Sequence, residues 1–306
     1  MSGRCRGALA GKADRVPVRM LAAVAIAGLL TSACAAGSAA SSSPGTVKGT
    51  RTTQSAEPSQ SPVASAPTSR PSTGPSTSPS TGPSSGKPLV GKIVGIDPGH
   101  NGLNYTDPAF IDRQIWNGRE LENCNTTGTQ TDSGYTEAQF NFNVASYLVA
   151  DLRGDGARVV LTRTNNHGIG PCVNRRAEII DQSHANVAID IHADGGPSWG
   201  RGFTVLEPVA DGPNDKIIAA ALRFGSYVRA AFLTGTPMGK SDYYGHNGTI
   251  LRDNLAGLNL TTVPEVLIEC GNMRNATDAR LLTSATVQRQ IATALEAAIV
   301  RFLTGR

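Results

Sequence analysis

The sequence predicts a single α/β domain with a mostly parallel sheet flanked by helices, preceded by an export signal (residues 1–36) and a linker (37–88). Three observations carry this. No Phe, Trp or Tyr occurs in residues 1–88, so every aromatic side chain lies between 89 and 306. Within 89–306, short apolar runs alternate with longer stretches of helical periodicity, the order that gives parallel strands joined by crossover helices. A segment of that length can bury about 70% of its unfolded surface in one core.

The elements follow in order. Lys92 to Ile96 is a short apolar run closed by Asp-Pro-Gly, a strand and its turn. From Ala138 to Leu152, apolar residues recur at Phe140, Val144, Leu148 and Leu152, one helix face stopped by Gly154-Asp155-Gly156. Val159–Thr162 reads as a strand, Val173–Gln182 as a helix, and Val187–Ile191 and Phe203–Leu206 as strands. Asn214–Phe232 is a long helix, Val266–Ile268 a strand, and Asp278–Leu282 and Val287–Leu303 the closing helices. In such folds, sites lie beyond the carboxyl ends of the strands.

The extension reads differently. A basic stretch ends at Arg19, an uncharged run of 11 residues spans Met20–Leu30, and small residues follow through Ala36. These are the three regions of an export signal. The run is too short to cross a hydrocarbon core of about 30 Å. Ala33-Cys34-Ala35 fits a cleavage site for a soluble secreted protein. Leu30-Thr31-Ser32-Ala33-Cys34 resembles a lipobox that would make Cys34 a lipid anchor, with Thr31 as its departure. Both routes stay open. Residues 37–88 are rich in Ser, Thr, Pro, Gly and Ala, with prolines at 67, 71, 75, 79 and 83. That composition cannot offset its own ordering entropy and reads as a disordered, partly polyproline spacer.

Charge divides along the same boundaries. The net +4 is the sum of +4 in residues 1–36, +3 in 37–88 and −3 in 89–306. A slightly acidic domain gives no electrostatic footprint for nucleic acid. A monomer is expected. Cys124 and Cys172 fall in polar loops and are expected to form a disulfide, in keeping with export. Cys270 ends an apolar run and reads as a buried free thiol.

Ionisable groups stand at three strand ends: Asp97 and His100 in Ile-Asp-Pro-Gly-His, His192 in Ile-His-Ala-Asp, and Glu269 in Ile-Glu-Cys-Gly-Asn. Glu137 opens the helix after Ser-Gly-Tyr-Thr. Singly, each has a plain reading. His100 is a turn residue, His192 a buried imidazole, Glu137 a carboxylate at a helix N-terminus, and Glu269 a partner for Arg274. Together, His100, Glu137 and His192 are the ligand set of an open catalytic zinc site, with one position left for water. Zinc there lowers the pKa of bound water to about 7. Glu269 is the unclaimed carboxylate available as general base and acid. Asp97 is placed to orient His100. Loops 103–134 and 240–256 are expected to border the groove, with Arg252 and Asn254 as candidate substrate contacts.

The wording of these segments resembles the zinc-dependent N-acetylmuramoyl-L-alanine amidases of the AmiC-like (amidase_3) family, across roughly residues 90–304. The strings are Asp-Pro-Gly-His-Asn-Gly (97–102), Ser-Gly-Tyr-x-Glu (133–137), His-Ala-Asp-Gly-Gly-Pro (192–197), Gly-Arg-Gly-Phe (200–203) and Asp-Asn-Leu-Ala-Gly-Leu-Asn-Leu (253–260). They are closest to stand-alone secreted members of actinobacterial type, which carry a Cys in each of the two loops. The resemblance implies an α/β fold of zinc exopeptidase and amidase type. It implies His100, Glu137 and His192 as zinc ligands, Glu269 as the catalytic carboxylate and peptidoglycan as substrate. The implied reaction cleaves the amide between N-acetylmuramic acid and L-alanine. Asn101 and Cys270 depart from the usual pattern without removing a ligand. Two other readings are a zinc peptidase of related fold and a non-catalytic amidase-like regulator. A phosphate-binding loop is excluded, because 97–102 lacks the glycine and lysine spacing that such loops need.

Overall fold

The computed structural model describes residues 86–306. The export signal, Cys34 and all but the last three linker residues lie outside the described residues. One six-stranded sheet organises the domain, in the order β4–β1–β5–β8–β6–β7. Its strands are β1 (Ile93–Pro98), β4 (Arg158–Leu161), β5 (Val187–Asp194), β6 (Thr204–Pro208), β7 (Thr249–Arg252) and β8 (Glu265–Asn272). β4, β1, β5 and β8 run parallel, whereas β6 is antiparallel to β8 and carries β7 parallel to itself at the edge. β2 (Gln114–Trp116) and β3 (Leu121–Asn123) make a separate hairpin after the single-turn helix α1 (Pro108–Ile111).

The helices form two outer layers. α2 (Glu137–Gly154), α4 (Ile218–Gly235) and α7 (Ala285–Thr304) cover one face. Their Phe140, Leu148, Phe224, Phe232 and Leu295 join Ile96, Ile189, Ile191 and Ile268 of the sheet in the main core. α3 (Val173–Gln182) and α5 (Ala256–Leu260) cover the other face in two smaller clusters, Ile180 with Ala188 and Val263, and Leu258 with Leu206 and Leu267. α6 (Ala276–Leu282) follows β8, with Asn275 capping its first turn through Oδ1. The Thr136 hydroxyl accepts from Gln139 N to start α2, and Gly305 ends α7 in a left-handed conformation.

Every strand and helix read from the sequence is present, with ends shifted by a few residues. α1, β2, β3, β7 and α5 have no counterpart in that reading. The hairpin and α5 are short, and β7 lies in a Gly/Asn-rich segment whose apolar content, Ile250 and Leu251, is two residues long. Cys124 and Cys172 are bonded across a sequence separation of 48, and Cys270 is buried and free.

Candidate active site

Strand register assembles the site. Asp97 of β1 stands opposite Asp190 of β5, and His192 of β5 stands opposite Glu269 of β8. Paired residues on parallel strands point to the same side, and residues two apart share a face. Asp97, Asp190, His192 and Glu269 therefore rise from one face, at the carboxyl ends of three adjacent strands. This is the α3 side, because a Cβ on Gly95 would meet Ile180 Cδ1 at 2.6 Å.

Glu137 enters from the first turn of α2. Its Oε1 lies 2.7 Å from His192 Nδ1 and 3.1 Å from His100 Nε2. The second oxygen accepts from Thr129 N at 2.9 Å, so the carboxylate is held from both sides. One donor atom from each of His100, Glu137 and His192 falls within 4.8 Å of the others. Two imidazole nitrogens and a carboxylate oxygen converging this closely fit a divalent zinc ion in donor type and number.

Two glycines make room for the convergence. A Cβ on Gly99 would sit 2.1 Å from His192 Nε2. One on Gly128, at φ +70°, would sit 2.7 Å from His100 Cδ2 and 2.8 Å from Glu137 Oε2. The Gly of the Asp-Pro-Gly-His string thus has a steric reason: only a hydrogen fits beneath the His192 ring.

Asp97 does not orient His100. It accepts from Thr162 Oγ1 at 2.5 Å and pairs with the buried Arg176. His100 Nδ1 instead faces Thr126, 3.3 Å from its carbonyl oxygen and 3.2 Å from its hydroxyl. The influence of Asp97 is indirect. Arg176 donates to His100 O at 2.6 Å and to Pro98 O at 3.0 Å. Arg163 donates to Pro98 O at 2.7 Å and to Gly99 O at 3.1 Å. Two buried guanidiniums thereby satisfy the carbonyls of the turn and fix His100 in its left-handed backbone conformation, φ 57°. Sequence reasoning missed both arginines and Thr126, since neither composition nor periodicity distinguishes a buried Arg from a surface one.

Glu269 is half-buried, and its Oε2 has no hydrogen-bond partner among the described residues. Arg274 is not its partner, but lies 3.4 Å from Asp132. Burial, reinforced by the charges of Glu137, Asp194 and Asp190 against the opposing pull of His192, holds the Glu269 carboxyl well above the usual carboxylate range. Burial alone would raise Glu137 too, but His100 and His192 outweigh it and hold that group well below its ordinary value. Adjacent carboxylates pushed in opposite directions are a pattern of acid–base sites.

A cavity of about 390 Å³ opens from this group. It runs down the sheet face over Leu206, Leu258 and Leu267 towards Glu122 and Arg252. Both expected loops contribute to its walls, through Asn125, Thr126, Gly128 and Thr129 and through Arg252. Asn254 does not line it, and instead accepts from Arg252 Nε at 2.9 Å.

Residues 94–301 match the family model described as N-acetylmuramoyl-L-alanine amidase (Amidase_3). The chain belongs to this amidase family. It is 38% identical over 222 residues to N-acetylmuramoyl-L-alanine amidase Rv3717 of Mycobacterium tuberculosis, covering 70% of this chain and 88% of that protein. Among solved structures, the fold matches the amidase Ami1 of Mycobacterium smegmatis with a TM-score of 0.67 and 36% identity, over 71% of this chain and 99% of that one. It matches the apo form of Ami1 from Mycobacterium abscessus with a TM-score of 0.66 and 37% identity, over 70% and 100% of the two chains. AmiC2 of Nostoc punctiforme, at 22% identity, shares the fold with a TM-score of 0.53 over 70% and 98%. The family and the α/β architecture expected from the sequence are thus both found.

Proposed function

We propose that this amidase hydrolyses the bond between N-acetylmuramic acid and L-alanine in peptidoglycan, with His100, Glu137 and His192 holding zinc and Glu269 as the general base and acid. The observation that carries the reading is the convergence of three ligand atoms beside a carboxylate with a free oxygen. A divalent cation in this position polarises a carbonyl and activates water at neutral pH. The residues supply the rest. Glu269 takes the proton of the attacking water and returns it to the departing nitrogen of L-alanine. Its raised proton affinity suits both halves of that transfer. Glu137, Asp190, Asp194 and Glu269 bring four carboxyl groups to the cavity while Arg176 is committed to Asp97, so oxygen and imidazole donors suited to a divalent cation converge there.

The cavity's shape supports a substrate orientation. Its apolar floor of Leu206, Leu258 and Leu267 fits the peptide stem, and Arg252 in its lining suits a stem carboxylate. The bulkier glycan then lies outside, across the strand ends. Peptidoglycan as substrate and relatives described as N-acetylmuramoyl-L-alanine amidases support a site of action in the envelope or outside the cell.

The test joins metal analysis to mass spectrometry of digested peptidoglycan. Wild type should contain one zinc per chain and release stem peptides with a free L-alanine amine. Glu269→Gln should keep the zinc and lose roughly 10²–10⁴-fold in turnover. His192→Ala should lose both. Undiminished hydrolysis by Glu269→Gln, or full zinc occupancy in His192→Ala, overturns the assignment.

A further inference from the structure

Trp199 is the most exposed large apolar side chain among the described residues, at 72%. A single exposed apolar residue needs no explanation by itself. What sets Trp199 apart is how and where it is held. It stands in the loop that leaves the carboxyl end of β5, just after Asp194 and Gly195 of the cavity lining. Gly200 N donates to Pro197 O at 2.9 Å and closes a turn around it. Two side-chain amides pin that turn. Asn272 Nδ2 donates to Pro197 O and to Gly200 O, both at 2.8 Å, and Asn275 Nδ2 donates to Ser198 O at 2.9 Å. The Tyr243 ring packs against the turn so closely that a Cβ on Gly196 would come within 2.2 Å of it and one on Gly200 within 2.5 Å. The indole meets this ring edge-to-face, with centroids 6.5 Å apart. Tyr243 also ties the turn to the site, because its hydroxyl donates to Asp194 Oδ2 at 2.6 Å. Its ring stacks with that of Tyr244 at 6.4 Å, and the Tyr244 hydroxyl accepts from Arg252. A run of contacts thus leads from Arg252, in the cavity lining, past Asp194 to Trp199, which does not line it.

We propose that Trp199, seated on Tyr243, is a stacking platform for a sugar ring of the peptidoglycan glycan. This deepens the amidase reading given above and rests on it. The axial hydrogens of a pyranose ring make its faces apolar. Such a face lies flat on an indole while the hydroxyl and acetamido groups around the ring edge keep their water. An aromatic side chain has few rotamers to freeze, and the turn that carries Trp199 is already ordered, so little entropy opposes the contact. The run of contacts also matches the order of groups in the substrate. The stem carboxylate lies at Arg252, the amide to be cut lies by Asp194 and Glu269, and the glycan continues to Trp199.

Tryptophan emission and steady-state kinetics test this on the intact chain. The sequence has two tryptophans, so Trp116→Phe leaves Trp199 as the reporter. A peptide-free glycan strand should shift or quench its emission, and a free stem peptide should not. Trp199→Ala should raise KM for a glycan-bearing muropeptide about 3–10-fold, with kcat within about twofold of wild type, and Trp199→Phe should recover most of the loss. An unchanged KM in the alanine variant, an emission response to the stem peptide instead of the glycan, or a dimer that falls apart on Trp199→Ala overturns the platform and leaves the amidase reading standing. A wild type that cuts no muropeptide overturns the amidase reading, and the emission response to glycan then decides the platform by itself.

Discussion

Removing the Cys124–Cys172 disulfide joins stability to the site. Cys124 is fully buried, so alanine at both positions avoids placing hydroxyl groups in an apolar environment. The bridge closes a loop across a sequence separation of 48. On the chain-entropy relation, cross-linking a loop of that size stabilises the fold by about 4 kcal/mol at 25 °C. For a domain of this size the loss lowers Tm by roughly 8–16 °C. The consequence extends to the cavity wall, because Cys124 precedes Thr126 and Gly128, which flank His100. Two links remain, Val173 N donating to Cys124 O at 2.8 Å and Asn125 Nδ2 donating to Pro171 O at 3.1 Å, so the loop is loosened rather than released. The paired variant is compared with wild type by thermal and urea unfolding, and by zinc titration. A Tm loss under about 3 °C would show that other contacts already order the loop and would refute the chain-entropy reasoning.

Gly99→Ala places a methyl group against the His192 ring and should weaken zinc binding by at least about tenfold, at a stability cost of roughly 1–3 kcal/mol. Unchanged affinity in a chelator titration would mean that the ring is free to move aside. On the opposite side of the sheet, burial and the neighbouring Asp155 carboxylate raise Glu296 to about 7. The folded state then holds this proton more tightly than the unfolded chain. Its stabilising effect is complete below about pH 4.5 and is lost as pH rises towards 7. Glu296→Gln should therefore gain thermal stability relative to wild type between pH 5 and pH 8, and parallel Tm curves across that range would contradict it.

The parts of the fold visible in the sequence are those with strong local periodicity. Phe140, Val144, Leu148 and Leu152 mark α2 because one face of a long helix must be apolar all along. The hairpin and β7 lack such a signal, because they are three or four residues long and carry exposed residues such as Trp116 and Leu251. The reversal of β6 is also invisible, since strand direction depends on how the chain crosses between layers and not on the residues within the strand. The motif strings brought His100, Glu137, His192 and Glu269 to notice. Arg163, Arg176 and Thr126 act through backbone carbonyls over long sequence separations, and a single sequence carries no mark of that. The expected link from Asp97 to His100 failed for the same reason: adjacency along the chain suggested contact, whereas the side chain turns to α3.

His192 and Glu269 are neighbours in a ladder of main-chain hydrogen bonds, so their spacing is set by the distance between two strands, about 4.8 Å. That dimension is common to every sheet and owes nothing to the surface segments around the opening. Those segments can lengthen, shorten or change composition to suit a different wall polymer while these two residues keep their separation. Selectivity and reactivity are thus decoupled by the architecture, and changes to the rim should alter which muropeptide enters more than how fast a bound one is cut.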